Sequence, residues 1–169
     1  MVRSESSGDR LTKETTVSKA LDDAGSEPVI VREDTAVRDV AAELARHPAV
    51  RVVCVVDAHG TLRGLLRAGS VCDDLFFHVA PEEFISDILE PGKLEEFRRY
   101  ARGRVAADLM EEAASVVTQD TLATAFKRLH DRGLDGLPVI DAEGRPISYL
   151  DRLRLIVVWL QTHPPAGSP

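Results

Sequence analysis

The stretch LPVIDAEGRPISYLDRLRL, residues 137–155, reads as strand, turn, strand and then helix. A β-branched run ends at Asp141, a short turn closes at Gly144 where positive φ carries little steric cost, and a second apolar run returns. An earlier stretch, VCVVDAHGTLRGLLRAGSV at residues 53–71, has nearly the same pattern. Val55 pairs with Val139, Asp57 with Asp141, Ala58 with Ala142 and Gly60 with Gly144 at a constant offset of 84. Upstream, VIVREDTAV (29–37) matches SVVTQDTLA (115–123) at an offset of 86, each placing a short strand before an Asp-Thr helix start. The chain is therefore a degenerate tandem repeat, and duplication at this length implies two pseudo-symmetric halves burying their sheets against each other.

The repeat helices carry one apolar face each: Val37, Val40, Ala41 and Leu44 in the first copy, Leu122, Ala125, Phe126 and Leu129 in the second. Asp34 or Thr35, and Asp120 or Thr121, are the expected N-caps. TVSKALDDA (16–24) and RVAADLMEEA (104–113) read as a helical lead-in before each copy. The expected organisation is a disordered segment at 1–15, a first unit at 16–79, two short amphipathic helices at 80–103, a second unit at 104–162 and a disordered tail at 163–169.

Composition narrows the function. With 169 residues, 44% of them apolar, the chain can bury a real core. A formal charge of -7 argues against a sequence-independent nucleic-acid or anionic-membrane binder, which needs a basic face. No run approaches the roughly 18 apolar residues of a membrane span and the opening lacks a signal-peptide core, so a cytoplasmic protein is expected. Cys54 and Cys72 lie outside any metal-ligand spacing and read as reduced, buried thiols. With no nucleophile-base pair, metal cluster, P-loop or glycine-rich dinucleotide turn, an enzyme is not expected.

DTLATAFKRLHDRGLDGLPVIDAEGRPISYLDRLRLI (120–156) resembles the second unit of a CBS-domain pair, the Bateman module. The likeness is carried by the Asp-Thr helix start, the RGLDGLPVID approach to the strand and the hairpin glycine. EDTAVRDVAAELARHPAVRVVCVVDAHGTLRGLLRAGSVCDDL (33–75) is similar but weaker, and VAADLM looks like the segment that introduces such a unit. The resemblance implies an α+β fold of two pseudo-symmetric β-α-β-β-α units packed sheet to sheet, association into a homodimer, and regulation through clefts that bind AMP, ATP or related adenosyl ligands. A structural docking module with degenerate clefts is the alternative.

In nucleotide-binding members of that family the second hairpin strand ends as Gly-x-x-Thr/Ser-x-x-Asp, the hydroxyl helping to hold phosphate and the carboxylate accepting the ribose hydroxyls. The second unit places Ser148, Asp151 and Arg154 at those positions, and the first places Gly64, Arg67 and Ser70. Asp151 repels phosphate and Arg154 cannot accept from a diol, whereas Arg67 can fork onto a phosphate and Ser70 can make one weaker ribose bond, so a nucleotide-like ligand is expected at the Arg67 cleft. Adenine is expected against Val31, Arg32 and Val53 in one unit and Val117, Thr118 and Leu137 in the other. The competing reading of Asp151 and Arg154 is a helix-start acid with an i,i+3 ion pair. The homodimer contact is expected on the repeat-helix faces that carry Val40, Leu44, Phe126 and Leu129.

Overall fold

The computed structural model describes residues 11–79 and 104–163. The two hairpins form as the repeat requires. In the first unit β2 (Ile30–Arg32), α2 (Val37–Arg46), β3 (Val52–Val56), β4 (Leu62–Arg67) and α3 (Ala68–Val79) follow in order. In the second, β6 (Val116–Val117), α5 (Leu122–Arg132), β7 (Gly136–Ile140), β8 (Pro146–Asp151) and α6 (Arg152–Thr162) repeat that order. Val55 pairs with Gly64 and Val139 with Ser148, antiparallel, and each ladder shifts register one residue later, toward the turn.

The two turns are built alike. Asp57 Oδ1 accepts the backbone N–H groups of His59 and Thr61 at 2.8 and 3.1 Å, and Asp141 Oδ1 accepts those of Glu143 and Arg145 at 3.0 and 2.8 Å. Gly60 and Gly144 then take φ of 82° and 78°, where a side chain would be strained. The turns touch across the molecule, Leu62 N–H donating to the Gly144 carbonyl at 2.9 Å.

The lead-in segments depart from the expected organisation, because each packs on the opposite unit. α1 (Val17–Ala24) lies against α5 and α6, and β1 (Gly25–Ser26) pairs antiparallel with β8. The second lead-in is a four-residue helix, α4 (Ala106–Leu109), leading into β5 (Glu111–Glu112), which pairs with β4. The sheet orders are β1-β8-β7-β6 and β2-β3-β4-β5. Main-chain bonds fix both exchanges: Val17 N–H reaches the Asp120 carbonyl at 2.8 Å and Leu122 N–H returns to Thr15, while Ala106 N–H reaches the Thr35 carbonyl at 2.8 Å.

Two cores result. One gathers Val17, Ala20 and Ala24 with Leu122, Leu129, Leu137, Tyr149 and Leu155, and takes in Val52 and Leu65 from the first unit. The other holds Val31, Val37, Val40, Val53, Leu66 and Val71 together with Ala106. Residues 11–15, expected to be disordered, are held instead: Leu11 is buried in the first core, and Lys13 and Thr15 give their carbonyls to the start of α5. The repeat-helix faces expected at a subunit contact are spent in these cores, since Val40 and Leu129 are fully buried and Leu44 and Phe126 pack against them. The helices expected at 80–103 lie outside the described residues.

At the helix starts, Thr121 caps α5 by accepting from Thr124 N–H at 3.3 Å, as expected. α2 begins at Ala36 without a side-chain cap. Thr35 instead accepts from Arg32 N–H and Asp34 pairs with the Arg32 guanidinium. Cys54 is buried and its thiol is pushed up to about 12 by that burial, so it stays protonated; Cys72 is exposed on α3.

The turn geometry predicts an acid sensitivity. Backbone N–H bonds from His59 and then Thr61 lower the Asp57 carboxyl below its ordinary value near 3.8. A carboxyl depressed in the folded state stabilises above its unfolded value and loses that contribution as pH falls through the folded one. Urea unfolding followed from pH 6 to pH 2 should therefore show stability falling below about pH 4 in the wild type, and falling less in Asp57→Asn.

Candidate functional site

The two exchanged edges bound two clefts. In the first, Arg67 stands at the end of β4 with its guanidinium engaged on three sides. Nε and Nη2 hold the Glu111 carboxylate at 2.7 and 3.1 Å, Nη1 donates to the Gly133 carbonyl at 2.6 Å, and Nη2 to the Arg132 carbonyl at 2.8 Å. The last two acceptors lie at the C-terminal end of α5, where Gly133 is left-handed at φ 57° and carbonyls are left over for a cation. The Glu111 carboxylate holds the Arg67 guanidinium more firmly in its charged form. Arg67 thus ties the first unit to β5 and to the second unit with donors that a phosphate would need.

Glu112 gives its side chain and its carbonyl to Arg132 Nη2. Between these edges lie a small recess of 230 Å³ lined by Leu65, Glu111, Glu112, Asp131, Arg132 and Leu134, and an open one of 590 Å³ beside β6. The open recess is lined in part by Val117, Asp120 and Arg128. Arg128 is committed to Asp120 at 2.9 Å and to the Ser115 carbonyl.

The second cleft has a volume of 670 Å³ and walls from both units. Ser26 comes from β1, Ala49, Val50 and Arg51 from the approach to β3, and Asp135, Tyr149, Asp151, Arg152, Leu153, Arg154 and Ile156 from the second unit. Asp151 caps α6 by accepting the Arg154 backbone N–H at 2.8 Å. The guanidinium of Arg154 turns away to the Gly25 carbonyl at 2.9 Å. The expected helix-start acid is therefore present, but the expected ion pair is replaced by a bond to the exchanged strand. Arg152 N–H goes to the Asp135 carbonyl at 2.9 Å.

Tyr149, the bulkiest of the fully buried side chains, crosses Gly136, where a Cβ would lie 1.9 Å from the phenol oxygen. Its hydroxyl is buried against the Arg51 main chain, and no acceptor takes its proton. Burial raises its pKa, with the Asp151 carboxylate adding to the effect, so the phenol stays protonated at physiological pH.

Of the sequence-derived positions, Asp151 and Arg154 line the second cleft and Val117 lines the open recess beside β6. Val53 and Leu137 are closed inside the cores, and Val31 is buried in the first-unit core. Arg32 is exposed and paired with Asp34, and Ser70 and Thr118 are partly exposed. Sequence reasoning missed Glu111 and Tyr149. Glu111 stood inside an expected helix, and only the strand exchange brings it to Arg67; Tyr149 carried a visible signal, an aromatic residue in the strand that pairs with Gly136.

Removing Arg67 breaks a tie between the units, not a packing contact. Arg67→Ala should lower unfolding free energy by about 1 kcal/mol, the value for a charged hydrogen-bond cluster discounted for its exposure. Urea titration with unchanged slope checks it, and the loss should shrink at high salt.

Among the described residues, no helix is long and apolar enough to cross a membrane, and no group of three or more His, Cys, Asp or Glu could hold a metal ion. No curated protein sequence matches the chain significantly. Solved structures match over most of its length. A CBS domain-containing protein from Thermotoga maritima superposes with a TM-score of 0.69 at 19% identity, covering 89% of this chain and 97% of that one. CBSX2, solved in complex with AMP, gives 0.60 at 25% identity over 87% and 97%. A CBS-domain pair solved with 5′-methylthioadenosine and S-adenosyl-L-methionine gives 0.62 at 14% over 86% and 95%. The CBS domain family model matches residues 17–76 and 105–158, one segment for each half of the repeat, and the chain belongs to the CBS-domain family as a tandem pair.

Proposed function

We propose that this CBS pair is a regulatory, non-catalytic module that senses an adenosine-type small molecule, with the second cleft as its principal site. The observation that carries this reading is the 670 Å³ cleft walled by both units, within the range of about 300 to 1,000 Å³ of small-molecule sites. Val50, Leu153 and Ile156 offer apolar surface, and two carboxylates with the Tyr149 hydroxyl offer converging polar groups. Binding there joins the first unit to the second, which is what a regulatory signal requires. The AMP complex of CBSX2 and the methylthioadenosine and S-adenosylmethionine complex of the other pair support the ligand class. Arg67 and Ser70 remain the phosphate and ribose candidates of the first cleft, and there a phosphate must first displace Glu111.

Thermal unfolding with adenosine, 5′-methylthioadenosine, S-adenosylmethionine, AMP and ATP at 1 mM tests the reading. A ligand at 100 times its Kd stabilises the native state by about 2.7 kcal/mol, several degrees for a chain of this size. No shift with any of the five rejects the sensor.

The docking alternative is favoured by one specific feature. Leu153, Ile156, Val157 and Leu160 form an exposed apolar stripe on α6, at the spacing of one helix face, which the first-unit helix lacks: Gly69, Cys72, Asp73 and Phe76 occupy the repeat-equivalent positions. We place the contact of a homodimer there, a two-fold pairing of α6 with its copy. Light scattering should report twice 18.5 kDa for the wild type and the monomer mass for Leu153→Asp with Leu160→Asp. A monomeric wild type at tens of micromolar removes the homodimer.

A further inference from the structure

We propose that the Tyr149 hydroxyl is the specificity-determining donor of the second cleft, and that the cleft takes an uncharged nucleoside-type molecule in preference to a phosphate-bearing nucleotide. This rests on the second cleft being a ligand site and names the chemistry it selects.

The first half follows from the hydroxyl itself. A buried hydroxyl whose proton finds no acceptor is a net cost to folding, and phenylalanine would fill the same space over Gly136 without that cost. Tyr149 lines the cleft, so a ring nitrogen or carbonyl oxygen brought to its floor completes the missing bond. The phenol is neutral and supplies a proton, so the group it recognises is an acceptor.

The second half follows from the start of α6. A free helix N-terminus attracts an anion, but two of the N–H groups here are taken: Asp151 accepts the Arg154 N–H, and the Arg152 N–H is spent on the Asp135 carbonyl. A phosphate placed there meets the Asp151 carboxylate at the position it would occupy. Of the three arginines on the cleft wall, Arg154 and Arg51 already donate to the Gly25 and Pro48 carbonyls, which leaves Arg152 to face two carboxylates. The Asp135 and Asp151 carboxylates instead offer acceptors to neutral hydroxyl groups such as those of a sugar. A molecule with acceptors on a flat ring and donors on a neutral sugar satisfies both ends of the cleft.

Calorimetric titration with adenosine and with AMP, on wild type, Tyr149→Phe and Asp151→Ser, decides the matter, with thermal unfolding of each ligand-free protein alongside. Serine retains a helix cap while removing the charge. Adenosine should bind the wild type more tightly than AMP does. Tyr149→Phe should lose on the order of tenfold in adenosine affinity, the worth of one neutral hydrogen bond, while its ligand-free melting temperature stays equal or rises. Asp151→Ser should bind AMP more tightly than the wild type does and adenosine no more tightly. Equal adenosine affinity in Tyr149→Phe, a lower ligand-free melting temperature in that variant, or tighter binding of AMP than adenosine by the wild type overturns the inference and leaves the sensor reading intact. Absence of binding by the wild type to either probe overturns the cleft as an adenosine-type site, and the inference with it.

Discussion

The exchange of edge strands governs this molecule. Each sheet is completed by the segment that leads into the other unit: β1 closes on β8 and β5 on β4. A two-residue strand has little stability alone, so each exchange holds through the sheet it joins and the helix before it. α1 contributes Val17, Ala20 and Ala24 to the second-unit core, and Ala106 enters the first-unit core. Neither unit can bury its apolar face without a piece of its neighbour. The two are expected to unfold together, and a disturbance at either exchanged edge reaches both cores.

The same exchange explains why clefts occur where they do and why they differ. Each lies where a borrowed strand passes the end of a hairpin. At one crossing the borrowed residue is Glu111, and its carboxylate draws Arg67 into a fork that also takes the carbonyls at the end of α5. At the other the borrowed residue is Gly25, which offers only a carbonyl; Arg154 takes it, and the larger opening persists. Pseudo-symmetric backbones thus carry one crossing tied by an internal ion pair and one without such a tie.

Much of the fold was legible because the repeat is written in residues with local meaning. Asp57 and Asp141 before Gly60 and Gly144 specify a turn by hydrogen bonding and by positive φ, and both turns form that way. The apolar spacing of α2 and α5 correctly marks buried faces, but periodicity does not say what buries them. An apolar face on Val40 and Leu129 suits a subunit contact as well as a core, and here the chain covers both itself. Which unit a lead-in packs on is likewise invisible locally, because TVSKALDDA has the same apolar face in either placement. The candidate site was half legible: Asp151 and Arg154 line a cleft, but Arg67 gained its partner through an exchange that no local pattern encodes.

A sensor must convert binding into a change that another molecule can read, and a ligand shifts an equilibrium only by its differential affinity for the two states. On the proposed reading the second cleft meets that condition through its walls. Ala49, Val50 and Arg51 belong to the approach to β3, and Asp135 with Tyr149 belongs to the β7 and β8 hairpin, so closure on a ligand presses the central strands of both units together. α6 begins at the cleft with Asp151 and carries the apolar stripe from Leu153 to Leu160 along its exposed face. Leu153 and Ile156 belong to both surfaces. A ligand that holds these two side chains changes the face that α6 presents to a second molecule, and by linkage a partner on that face changes the affinity of the cleft by the same factor.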